Sequence, residues 1–116
     1  MADDLWGQVL IAALALNAAG GFGYRAHRLS KGGPLADVIG QAILGLLLAG
    51  LAVALAAGAT WARWPALFYG LLFGTIVMPV WVLGVLIPMR PAAVDYAFTA
   101  VYWLSLAAIV VSALLL

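Results

Sequence analysis

The chain is a succession of long apolar runs separated by short polar breaks. A helix rises about 1.5 Å per residue, so crossing a hydrocarbon core of about 30 Å takes about 20 apolar residues. Four runs of that order stand between the charged positions, at 5–22, 35–57, 64–87 and 92–116. They are continuous and rich in Ala and Leu, whereas the strands of a membrane barrel alternate over segments of about ten residues. The pattern therefore predicts an all-α membrane protein of four transmembrane helices in a single domain covering 1–116, with loops too short for a soluble domain. Helices suit this setting because each satisfies its own backbone hydrogen bonds where no water is present.

The punctuation agrees with the hydropathy. Pro34, Pro65 and Pro91 each fall at the start of a run, where a missing N–H breaks no intrahelical bond. Trp6, Tyr24, Trp61 and Trp64 fall near run ends, at the depth amphipathic rings prefer. Composition strengthens the reading: the chain is 68% hydrophobic and only 8% charged, and a soluble fold would lack polar residues to cover its core.

Charge sets the expected orientation. The 23–34 connection carries Arg25, His27, Arg28 and Lys31, and the 89–91 turn carries Arg90; the 58–63 loop has Arg63 alone, and the N-terminal segment has Asp3 and Asp4. The excess of basic residues marks the first and third loops as cytoplasmic and both termini as non-cytoplasmic, in a multi-pass protein of the cell inner membrane. The two leading aspartates also argue that the first run is a retained span and not a cleaved signal, which needs positive charge there. The basic cluster reads as a topology determinant and as a contact for anionic lipid headgroups.

A possible internal repeat opens the second and fourth runs. Lys31-Gly-Gly-Pro34-Leu-Ala-Asp37 with Gln41-Ala42 parallels Arg90-Pro91-Ala-Ala-Val-Asp95 with Thr99-Ala100, allowing one gap. Both copies begin from the same side, so the halves would be two tandem helical hairpins in a parallel repeat. Within each, the aspartate and the polar residue four positions on share a helix face. Asp37 and Asp95 are expected to stabilise the first turns of their helices and to pair with Arg28, Lys31 or Arg90.

Inside the runs, Asn17 is the strongly polar side chain of the first, and an amide in hydrocarbon must find a partner on a neighbouring helix. Gly70 and Gly74 form a Gly-xxx-Gly pair on the third run, and Gly50, Ala54 and Gly58 a small-residue ridge on the second; each is expected to touch another helix. Pro79 removes a backbone bond in the third run and predicts a kink in its cytoplasmic half.

Chemistry is sparse. With no cysteine and one histidine, the chain offers no thiolate or multi-histidine metal site, and a net charge of +1 gives no field for nucleic acid. No phosphate-binding loop, nucleophile elbow or paired carboxylates occur, and the serines have no histidine or acid at a recognisable spacing. His27 with Asp37 is the one acid–base pair a lipid-modifying reaction would have, so neither catalysis nor a cofactor is expected. Two functional classes follow. The first is a non-catalytic accessory or structural subunit held by membrane lipids and a larger membrane protein. The alternative is a homo-oligomeric transporter or channel for a small solute, ion or lipid, using Asn17, Asp37, Gln41, Asp95 and the Pro79 kink.

Overall fold

A computed structural model describes residues 2–88, 90 and 92–116, with side chains from Leu5 onward. Among these residues the chain is all helical: α1 (Ala2–Ser30), α2 (Leu35–Ala56), a short turn of 3-10 helix at Thr60–Ala62, α3 (Arg63–Leu72), α4 (Met78–Trp81) and α5 (Ala93–Leu115). Two π-helical segments, Phe73–Val77 and Val82–Leu86, join α3 to α4 and extend α4, making one unbroken third span. Four helical stretches are long and apolar enough to cross a membrane, Leu5–Ser30, Leu35–Ala56, Thr60–Leu86 and Ala93–Leu115. The chain is thus a multi-pass membrane protein. The bundle is 44 Å long and about half as wide, enough to cross the hydrocarbon and reach both headgroup layers.

The first span is longer than its apolar run. Beyond Phe22 the helix continues to Ser30, carrying Arg25, His27 and Arg28 on its last turns instead of in a loop. No strong breaker intervenes, one glycine costs a helix only about 1 kcal/mol, and long basic side chains reach the headgroup layer from helical backbone. Glycine then ends the helix. Gly32 adopts φ +91°, its N–H bonds the Leu29 carbonyl, and the Gly33 N–H bonds the Arg28 carbonyl at 2.8 Å, the paired closure that needs a left-handed residue. The end of α2 repeats this geometry at Gly58, φ +95°, with Ala59 N–H bonded to Ala54 at 2.8 Å.

Gly58 is thus a turn residue and Gly50 is exposed, each with open space where a Cβ would stand, so neither glycine touches another helix of this chain. The glycine that brings α2 close to α1 is Gly45, which faces Ala18.

In the bundle α1 lies between α2 and α5, and α3 packs against α5 and touches α2. Leu10 and Leu14 of α1 and Leu106 and Ile109 of α5 are fully buried in the core of the bundle. On α1 the inward positions Leu10, Leu14, Asn17, Gly21 and Tyr24 recur at alternating spacings of four and three, as a helix face requires. Gly74 and Gly70 line the α3–α5 contact as the pair predicts, although Gly70 is much the tighter.

Pro79 sits between the two π-helical segments. Without an N–H it makes no bond to Thr75, and its ring would press on that carbonyl in a regular α-helix; widening the preceding turn relieves the crowding. The carbonyl of Gly74, within the first π segment, accepts the indole N–H of Trp103 from α5 at 2.9 Å, and the Thr75 hydroxyl donates to the Leu71 carbonyl. Pro91, expected at the start of the fourth span, lies outside the described residues, as does Met89; Ala92 is the residue that precedes α5. The side chains of Asp3 and Asp4 are likewise outside the description.

Candidate functional site

Two groups of polar side chains link different helices of the bundle. The first is buried near mid-span. Asn17 is 1% exposed; its amide nitrogen donates to the Ser105 hydroxyl at 2.8 Å, and its amide oxygen accepts from the Tyr69 hydroxyl. Ser105 in turn donates to the Tyr102 carbonyl at 2.6 Å, and the hydroxyls of Tyr69 and Tyr102 are 2.8 Å apart. With the Tyr69 proton on Asn17, that last bond is donated by Tyr102. Asn17 therefore faces inward, and its partners come from both α3 and α5.

Gln41 reaches the same cluster from α2. A side chain on Gly21 would collide with the Gln41 amide oxygen and come within 3.2 Å of the Tyr102 ring, so glycine at this position lets α1, α2 and α5 converge. Thr99, the counterpart of Gln41 in the suggested repeat, does not join: buried on α5, it donates to the Asp95 carbonyl of its own helix at 2.8 Å.

The second group lies at the end of the bundle that holds the 31–34 turn and the start of α5. Asp37 and Asp95 both occupy the first turn of a helix, as the sequence implies, but their partners differ from those expected. Asp37 faces Arg25 at 3.7 Å. Asp95 accepts the Ala92 N–H at 2.8 Å through one oxygen and the Tyr24 hydroxyl at 2.5 Å through the other. The first bond satisfies an end-of-helix donor, and the negative charge opposes the positive end of the helix dipole.

Around Tyr24 an aromatic cluster closes the bundle. Its ring stacks on Phe98 with centroids 3.8 Å apart, and Trp81 meets both rings edge-on. The Arg25 guanidinium stands 5.8 Å from the ring centres of Tyr24 and Trp81, within reach of a cation–π attraction. Arg25 thus ties α1 to α2 through charge and to α4 through its aromatic contact. Tyr24, placed at an interface by sequence, is in fact buried; Trp61 and Trp64 are exposed, as interfacial rings should be, with Arg63 over the Trp64 ring at 4.5 Å. Among the described residues the Trp81 indole nitrogen is a buried polar atom with no hydrogen-bond partner.

No protein-family model, curated protein or solved structure matches this chain. His27 lines a recess with Arg28, Lys31 and Asp95, while Asp37 is turned to Arg25, so the acid–base pair His27 with Asp37 is not assembled. Arg90, at φ +53°, is exposed in the connection before α5. Among the described residues no three His, Asp or Glu side chains converge on a common point.

The residues that sequence reasoning missed are Tyr69, Tyr102, Ser105 and Gly21. A signal existed for two of them: Thr99, Tyr102, Ser105 and Ser112 recur at three- and seven-residue intervals and mark one face of α5, the buried face. Nothing in the spacing singles out Tyr69. The Tyr24–Asp95 bond has a charged acceptor and is among the stronger kinds. Tyr24→Phe keeps the stacked ring and is expected to lower stability by about 1 kcal/mol, measured as the shift of the unfolding midpoint in mixed micelles. No shift at all would show that water at the bundle end replaces the bond.

Proposed function

We propose that this chain is a non-catalytic subunit of a larger assembly in the cell inner membrane, with its basic end in the cytoplasm and both termini on the other side. The basic residues of the first and third connections support that orientation. The observation that carries the functional reading is the outward face of α2. Leu48 is the one residue of α2 that is fully enclosed by the rest of the chain. Gly40 and Gly50 point into open space, and small residues on an exposed transmembrane face allow a second backbone to approach closely. Asn17, a path residue of the transporter alternative, is bonded to Ser105 and Tyr69, and Tyr69 to Tyr102, which favours a role exerted from the surface.

Purification in mild detergent tests this. A stoichiometric larger membrane protein is expected to accompany the chain and to be lost with Gly50→Leu, at a position where an added Cβ meets no atom of this chain within 4 Å. A homo-oligomer alone, with the variant indistinguishable from the parent, would overturn the reading in favour of the oligomeric transporter.

A further inference from the structure

We infer that the crevice between α1 and α5 is a binding site for one anionic phospholipid, its headgroup in the basic recess at the bundle end and one acyl chain along the helix seam. The inference does not depend on a protein partner, and its test can fail or succeed whatever accompanies the chain.

Two adjoining hollows make the site. The first is a recess of about 450 Å³ walled by Arg28, Lys31 and His27 on one side and Asp95 on the other. Two fixed cations there face one carboxylate, and that carboxylate is already committed, one oxygen to Tyr24 and the other to the Ala92 N–H. Arg25 is drawn away to Asp37, so Arg28 and Lys31 remain to meet an incoming anion. A guanidinium beside an ammonium matches a phosphodiester, and cationic side chains at this depth attract anionic headgroups.

The second hollow is a groove of about 460 Å³ that shares His27 and Val94 with the recess, so the two adjoin. Its floor is Gly20 and Gly23 of α1, and its far wall is Ala97 and Val101 of α5. A Cβ added at either glycine would meet no atom within 4 Å, so the absence of side chains there leaves the groove open. From His27 it runs to Leu16, about 16 Å at about 1.5 Å per residue, and one leaflet of a hydrocarbon core is about 15 Å deep. A polar, net cationic mouth opening into an apolar slot one leaflet deep fits an anionic amphiphile, and neither half alone would.

Lipid retention in mild detergent, read by native mass spectrometry, is the test. The purified chain is titrated with phosphatidylglycerol, with phosphatidylcholine of the same acyl chains, and with glycerol phosphate as a chain-free competitor. One phosphatidylglycerol per chain should be held with a preference of about tenfold over phosphatidylcholine, and glycerol phosphate should not displace it. Arg28→Gln with Lys31→Gln should abolish the preference while leaving retention of phosphatidylcholine unchanged. Gly23→Leu should fill the groove and remove retention of both lipids without loss of helicity; Gly20→Leu serves the same purpose should the first variant fail to fold. Equal retention of the two lipids, retention surviving both groove variants, or displacement by glycerol phosphate would each overturn the site.

Discussion

Replacing Asn17 by alanine is expected to lower the unfolding free energy in mixed micelles by about 2 to 3 kcal/mol. The amide bonds α1 to α5 through Ser105 and to α3 through Tyr69, at a depth where no water competes. Single interhelical hydrogen bonds in membranes contribute modestly, on average about 0.6 kcal/mol. Two are lost here, a cavity opens, and the Tyr69 hydroxyl is left with a proton and no acceptor on α1. Asn17→Leu restores volume but not polarity, so the share that persists in it measures the hydrogen bonds. A double-mutant cycle with Tyr69→Phe should show coupling of about 1 kcal/mol, because each change removes the partner of the other. Denaturant titration followed by helicity provides the reading, and a loss below about 0.5 kcal/mol for Asn17→Ala would mean the cluster contributes little to holding the spans together.

The second large effect separates two glycines that look equivalent in sequence. A methyl group on Gly70 would lie 2.8 Å from the Val110 side chain, 3.2 Å from that of Ile109 and 3.3 Å from the Leu106 carbonyl oxygen. Val110 must shift, and because Ile109 is fully buried and the carbonyl belongs to the α5 backbone, the remaining crowding falls on the spacing between the helices. Gly70→Ala should therefore cost about 1 to 3 kcal/mol, the usual range for overpacking. On Gly74 the same methyl would lie 3.8 Å from the nearest atom, Leu106 Cβ, an ordinary contact; Gly74→Ala should stay within about 0.5 kcal/mol of the parent. Thermal unfolding of the two variants side by side checks the asymmetry. Equal losses, or the reverse order, would contradict the close approach at Gly70.

What the chain announces about itself follows from the solvent it needs. Long apolar runs are visible because lipid demands them, and their number could be counted without reference to any partner residue. Asn17 was readable for a related reason: an amide among leucines has no water to turn to. The inside faces were harder, since a membrane helix is apolar all round and the contrast between buried and exposed sides that marks a soluble helix is absent. Gly50 and Gly70 illustrate this. Both lie in small-residue patterns on apolar helices, yet one faces open space and the other fits against α5 with nothing to spare.

The aspartates show the same division at the bundle end. First-turn positions for Asp37 and Asp95 could be read from the residues around them, because helix starts are local. Their partners could not: Arg25 turns toward Asp37, and Tyr24 reaches Asp95 across 71 positions of sequence, pairings set by how α1 lies between α2 and α5. The continuation of α1 through its basic turns belongs here too, since a run of apolar residues marks where lipid ends and not where the backbone stops being helical.

A chain suited to lipid, built of helices, with four segments long and apolar enough to cross a membrane, can be read from the residues alone, because each of those properties is decided by the transfer of individual segments from water. It took the packed bundle to join Asn17, Ser105, Tyr69 and Tyr102 in one network, to set the Gly70 backbone against α5, and to open a groove at Gly20 and Gly23 beside a cationic recess. These depend on which faces of equally apolar helices meet, a choice made by close packing and by a few hydrogen bonds between residues far apart in the chain.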